Sequence, residues 1–330
     1  MGNNRIYCRI IFSLLILIGV TAPLHADDQG LFTLRFNWPA KLSGHVISEV
    51  GFHRYEAGKE KSHYAKKANY FSITKINDGF EMITTGGMVL QNIPLPNVKD
   101  RLHLLAEIDT DPTIVLSKKG EVAKIIGLEE YRTNMLNLVK ERHSEYDKKE
   151  LKAVSSYYDA KDLEANLIND YDETFFYMLK YWIDKSFTPK SVYSGVSMIR
   201  LPTISTSDVK YHGIAQVRDL NKKNSLVILE FKEFVDPGDL KQMLIENNII
   251  TLDQWHSHRC KIDPRKLYNK FEIGQSSNAD KSDNSYRYTT THFLVTDFNT
   301  LVPLQYIKSV EIVLPDFEQY EVVKYSYIND

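Results

Sequence analysis

The chain has 330 residues, 43% of them hydrophobic and 25% charged, with a formal net charge of -2. That length and balance exclude a disordered or collagen-like chain and a polytopic membrane protein, and they allow a core without disulfides or metal. The small net charge gives no general attraction for nucleic acid. Twenty Tyr and 15 Phe against 15 Gly lean towards sheet.

The first 26 residues have the build of a secretory signal. Arg5 and Arg9 supply a positive start, Ile10–Val20 is an apolar run of eleven, and Pro23 breaks it before Leu24-His25-Ala26. The run is shorter than the roughly 20 residues that span a bilayer. Cleavage after Ala26 and a periplasmic address are therefore expected, with no integral membrane segment in the remainder. An uncleaved anchor is the rival reading. Cys8 leaves with the signal, so Cys260 stands alone and no intramolecular disulfide is possible.

In chain order, residues 27–127 predict a β-rich part. Residues 31–38 (LFTLRFNW) alternate with the period of two of a half-buried strand. Residues 45–55 repeat that pattern less cleanly. Strands at 69–76 and 80–85 meet at Asn77-Asp78-Gly79, and 113–116 meets 122–126 at Lys118-Lys119-Gly120. From 128 to 190 the period becomes helical. Leu128, Tyr131, Met135, Leu138 and Val139 start the block, and a charged helix follows near 147–157. Leu163, Leu167 and Ile168 follow Asp159, and Phe175, Leu179, Trp182 and Ile183 form a stripe before Pro189.

Residues 191–330 return to period two. Strands are expected at 191–200, 209–218, 225–234, 266–273, 285–296, 304–314 and 319–328, with a short helix at 239–247 after Asp236-Pro237-Gly238. The polar stretch 275–285 is expected as a loop. No Pro-, Gly- or Ser-rich linker divides 27–330, so one continuous body is expected. The fold class is α+β: curved antiparallel sheets, half-barrel-like, with a helical block between N- and C-terminal strands.

Trp255-His256-Ser257-His258-Arg259-Cys260 is the one compact cluster with metal-ligand chemistry. If extended, it turns His256, His258 and Cys260 to one face. Ligands spaced along a flat strand converge on an ion only if the chain bends, so a partly exposed strand or loop with a buried thiol is the competing reading. Glu107, Asp109 and Asp111 alternate as a solvated acidic loop and lack the glycine and distal glutamate of a calcium loop. There is no Gly-x-Ser-x-Gly elbow and no phosphate-binding glycine loop. No motif calls for a cofactor.

Three features together resemble the exported lipoprotein carriers of the LolA and LppX kind. Val115–Val122 (VLSKKGEV) with Ile126-Gly127-Leu128 is a strand, turn and strand leading into a helix. Phe293–Asp297 with Pro303–Tyr306 is a strand, a short turn and a returning strand. The third feature is the order sheet, helices, sheet. The resemblance implies an envelope protein that holds an acyl chain or a lipoprotein tail on a concave face. The expected function is non-enzymatic binding of an apolar ligand or an envelope partner. An envelope enzyme is the alternative, with His212, His256, His258 or His292 as general base beside a distant acid. A structural subunit of an envelope assembly is the third reading.

Overall fold

The computed structural model describes residues 32–93, 112–141, 152, 155–172, 179, 182–189, 191–201, 208–268, 271 and 286–330. Thirteen strands are described. A two-stranded ladder joins β1 (Phe32–Thr33) to β7 (Ser186–Phe187). The N-terminal long strands are β2 (Lys41–Glu56), β3 (Lys59–Ile76) and β4 (Gly79–Ile93), followed by β5 (Thr113–Ser117) and β6 (Val122–Ile126). The C-terminal set is β8 (Val192–Arg200), β9 (Asp208–Asn221), β10 (Leu226–Val235), β11 (Arg287–Asp297), β12 (Pro303–Leu314) and β13 (Phe317–Asn329).

Eleven of these form one antiparallel sheet in the order β6-β5-β4-β3-β2-β13-β12-β11-β10-β9-β8. It is unclosed, with β6 and β8 at its edges. Each half of the chain is a meander, and the two join where β13 lies beside β2, from Phe317 opposite Glu56 to Asn329 opposite Gly44. Strands that were short in the sequence pattern prove long. The Lys- and Glu-rich residues 59–68 are the first half of β3, where Lys59 faces Glu56 and Lys66 faces Glu49 across the ladder. Opposite charges placed so stabilise a pair of strands.

The helical block is present between β6 and β8. Helix α1 (Leu128–Glu141) starts after Gly127, and α2 (Leu163–Asp172) packs beside it. Tyr131, Met135, Tyr158, Leu163 and Leu167 form a small core with Ile125 of β6. The block covers one free edge of the sheet, and an edge left bare would pair with other chains. On the far side come α3 (Pro237–Glu246), α4 (Leu252–Ser257) and α5 (Arg265–Tyr268). No helix among the described residues is long and apolar enough to cross a membrane.

Two expectations fail in physical detail. Residues 33–38 have the burial alternation of a strand, with Leu34 and Trp38 buried and Arg35 and Asn37 exposed, yet only Phe32–Thr33 joins a ladder. Beyond that ladder its backbone makes only an isolated bridge from Leu34 to Ile183 and a bond from Asn37 N–H to Thr300 O, while its side chains fill the core. Residues 266–273 were expected as a strand, but Arg265–Tyr268 are helical and Phe271 lies on the sheet. Its ring comes within 2.9 Å of where a Cβ on Gly51 would stand, so the missing side chain on β2 is the seat for the ring. The segment 1–26, the acidic loop 107–111, the loop 275–285 and most of the helix expected at 147–157 lie outside the described residues.

Leu294, fully buried at the middle of β11, packs between the two meanders. Leu294→Ala is expected to cost about 2–5 kcal/mol of unfolding free energy, measured by urea denaturation.

Candidate functional site

The inner face of the sheet is set by register. Val227, Leu229, Phe231, Glu233 and Val235 of β10 point the same way as Tyr288, Thr290, His292, Leu294 and Thr296 of β11, since paired residues share a face. One apolar cluster combines Phe71, Ile73, Phe80, Met82, Ile114 and Leu116 from one meander with Val217, Val227, Leu229, Phe231, Leu294 and Tyr306 from the other. Strands far apart in the sheet meet there, so the sheet is strongly curled about this face.

Among the described residues, no strand of the large sheet covers that concave face. Two segments outside it do. From one come Leu34, Phe36 and Trp38, and from the other Leu179, Trp182 and Phe187. Trp38 stands edge-on to Phe80 at 6.0 Å and donates its indole N–H to the Leu301 carbonyl at 3.0 Å. Trp182 meets Phe187 at 5.2 Å and Tyr193 of β8 at 5.8 Å. Its indole Nε1 is buried and has no hydrogen-bond partner among the described residues. Phe36 rests on the β5–β6 turn, where a Cβ on Gly120 would come within 2.6 Å of its ring. Glycine is doubly required there, because its φ is +78°. The cover therefore bridges the two ends of the open sheet.

A polar layer interrupts the inner face. His292, 3% exposed, shares a hydrogen bond of 2.8 Å between Nδ1 and the Tyr306 hydroxyl, and its Nε2 faces Glu233 at 3.6 Å. Tyr211 donates to Thr290 at 3.4 Å nearby. The four histidines singled out from the sequence do not converge. His212 pairs with Phe234 on the outer face and stacks on it, His256 is exposed on α4, and His258 lies half-buried past that helix. Only His292 is in the concave interior.

The Trp255–Cys260 cluster is not a strand. Leu252–Ser257 form α4, opened by a capping box in which Thr251 and Gln254 exchange side-chain and backbone bonds. His258 then leaves the helix in extended conformation (φ -55°, ψ 141°). His258 and Cys260 stay together while His256 is left on the exposed helix, and Glu318 from β13 takes the third position. The ligand atoms of His258, Cys260 and Glu318 all lie within 4.8 Å of one another. Nothing in sequence spacing connects Glu318 to residues about 60 positions earlier.

Glu318 is 2% exposed, and its carboxylate accepts the Lys261 N–H at 2.8 Å on each oxygen and the Ile262 N–H at 3.0 Å. The buried charge is thus spent on pinning the loop after α4 to the sheet. The His258 ring stacks on Tyr286 at 4.2 Å. Burial holds its imidazole below the ordinary histidine value, although Glu318 pulls the other way. Beyond Cys260, Arg287 donates to Glu311 at 2.8 Å and to the Tyr320 hydroxyl at 3.0 Å, and Tyr268 donates to Glu311 at 2.5 Å. Burial, and then Glu311, raise the Tyr268 phenol well above its ordinary value.

Removing the pin tests its weight. Glu318→Ala is expected to cost roughly 1–3 kcal/mol for each buried N–H left unpaired. Faster hydrogen exchange at the Lys261 and Ile262 amides should accompany that loss. His256→Ala should change stability by no more than about 0.5 kcal/mol, as for an exposed position.

No family model matches this sequence, and no curated protein matches it. Among solved structures, the crystal structure of Pseudomonas aeruginosa OccK11 (OpdR) is similar with a TM-score of 0.19 and 6% identity, over 90% of this chain and 98% of that one. A likeness at that level carries no argument about fold or function.

Proposed function

We propose that the protein is an exported α+β half-barrel that binds an acyl chain on its concave face, without catalysis. The leader-like residues 1–26 support a periplasmic address, and the aromatic inner face supports an apolar ligand. The observation that carries the reading is the cover. The concave face is covered by residues 34–38, 179 and 182–187, segments held by ring packing and, among the described residues, by few backbone hydrogen bonds. Among these are Asp184 N–H to Leu34 O at 2.9 Å and Asn37 N–H to Thr300 O at 3.2 Å. An apolar surface under a lightly tied segment can admit a ligand of like chemistry between the two. The buried indole N–H of Trp182 suits a ligand with one acceptor oxygen, an ester or carboxyl group at the end of an alkyl chain. A docked envelope protein is the rival occupant, and it would leave no lipid behind.

Protein purified without detergent and extracted with organic solvent should release acyl lipid. A dansyl-labelled fatty acid should then bind the delipidated chain at one site and quench tryptophan emission. Trp182→Phe, which keeps the ring but removes the donor, should weaken that binding roughly fivefold, the worth of about 1 kcal/mol. A lipid-free extract together with no saturable probe binding would overturn the acyl-chain reading.

A further inference from the structure

The cluster beyond α4 has no part in acyl binding and has a chemistry of its own. It brings together an imidazole, a thiol and a carboxylate, the three side-chain donors that zinc takes in proteins. Their ligand atoms lie within 4.8 Å of one another. Metal bonds of about 2.0–2.3 Å in a tetrahedron separate ligand atoms by roughly 3.4 Å. Closing the difference needs a movement of about 1 Å, well within side-chain rotation for the half-buried His258 and Cys260.

Each donor has capacity left. His258 Nε2 is buried and makes no hydrogen bond to any described residue, an unmet cost that a metal bond would remove. Cys260 forms no disulfide, and the hydrogen bond it shares with the Tyr320 hydroxyl leaves the sulfur with lone pairs for a metal. Glu318 Oε1 accepts one N–H and Oε2 accepts two. A carboxylate offers about four lone-pair positions, so Oε1 keeps one. We propose that His258, Cys260 and Glu318 form a divalent-metal site that takes Zn2+, with water as the fourth ligand.

The surroundings support that assignment. Lys261 and Ile262 anchor the Glu318 carboxylate and Tyr286 holds the His258 ring by stacking, so two of the three donors are oriented before the ion arrives. The thiolate and carboxylate together carry two negative charges against the two positive charges of the ion. Lys261, Arg287 and Arg259 are the cations that act on His258, and Glu311 already pairs with Arg287 at 2.8 Å. Sulfur and nitrogen donors select against calcium and magnesium, which require oxygen. On binding, the Cys260 thiol gives its proton to solvent and the sulfur forms the metal bond. The ion would clamp the loop after α4 to the start of β13, reinforcing the link that Glu318 already makes.

Cobalt is the probe, because its thiolate complexes absorb. Tag-free full-length protein, reduced and freed of metal with a chelator, is titrated with Co2+. One equivalent should produce a thiolate charge-transfer band in the near ultraviolet and bands in the visible. Zn2+ should bleach them and raise the melting temperature. Cys260→Ser should abolish the charge-transfer band, and His258→Gln should weaken Co2+ binding at least tenfold, both with an unchanged far-ultraviolet circular dichroism spectrum. His256→Ala should match the parent. A folded parent that gives no charge-transfer band would overturn the proposal, as would a His258→Gln variant with parental affinity. Should a single variant not fold, the parent titration alone decides. These readouts involve no lipid, so their failure is separable from failure of the acyl-chain reading.

Discussion

The pairing of β13 with β2 is the constraint on which the architecture depends. Each meander alone is built from local hairpins, and each would present an unpaired edge. The ladder from Phe317 opposite Glu56 to Asn329 opposite Gly44 joins the end of the chain to its first long strand, so that the sheet becomes continuous. Close approach is enforced at one end, where a Cβ on Gly44 would fall 2.1 Å from the Ile328 carbonyl oxygen. On the outer face Glu49, nearly buried, answers Lys324 at 3.6 Å and Lys66 at 3.7 Å while accepting the Tyr64 hydroxyl at 2.8 Å. A buried carboxylate with this many partners specifies the register more than it adds net stability, because desolvation offsets much of the attraction. Contacts between residues so distant in sequence also make loop closure slow, so the two meanders are expected to form before they join.

Once the sheet is continuous and curled, its inner face must be filled. The chain does so unevenly. At one end the filling is the cover, with Trp38 and Trp182 as its largest side chains. At the other it is α3 with Tyr211, Tyr286, Tyr288 and Ile312. Between the two lies the His292, Glu233 and Tyr306 layer. Polar groups here are costly unless mutually satisfied, and their value is directional: they keep one residue per strand from sliding into either apolar cluster. That layer answers for the one sequence histidine found inside, and it has the form of a packing device.

Much of this was legible in the residues. Alternation marked β5, β9, β10 and β11 close to their true bounds, because these strands are mostly wet or intermediate on one face and buried on the other, whereas β6 and β12 are found near their expected bounds without so regular a burial pattern. The turns at Asn77-Asp78-Gly79 and Lys118-Lys119-Gly120 were equally plain, since glycine supplies the backbone angles they need. Where the signal failed, the cause was tertiary. The first half of β3 is charged on both faces and holds its place through partners on β2. Residues 31–38 kept the period of a strand while serving as filling. Around 266–271 Leu267 and Phe271 look like alternating strand residues, and only the hollow above Gly51 shows why they are not. For α4 a signal did exist: Thr251 and Gln254 form the capping pattern that announces a helix start. Glu318 was out of reach, because a glutamate in a strand looks like an ordinary solvated position until the loop that folds over it is seen.

The two ends of the body differ in how firmly they are tied, and this difference gives the molecule its working asymmetry. Among the described residues, a ladder of two residue pairs between β1 and β7 and the parallel bridge from Leu34 to Ile183 join the two cover segments to each other, and Asn37 N–H to Thr300 O, the Trp38 indole bond and Tyr193 O–H to Ser186 O tie them to the body. The α3–α5 end is tied by capped helices, by the Glu318 carboxylate and by the Arg287, Glu311 and Tyr320 network. Local opening follows the number of bonds and the buried area that must be given up, and by described hydrogen bonds the cover is tied less firmly than the α3–α5 end. The apolar cluster beneath the cover shares no residue with the cluster beneath α3. Lifting one therefore leaves the other intact, and the sheet between them, held by its longest ladders, transmits no obligation to move.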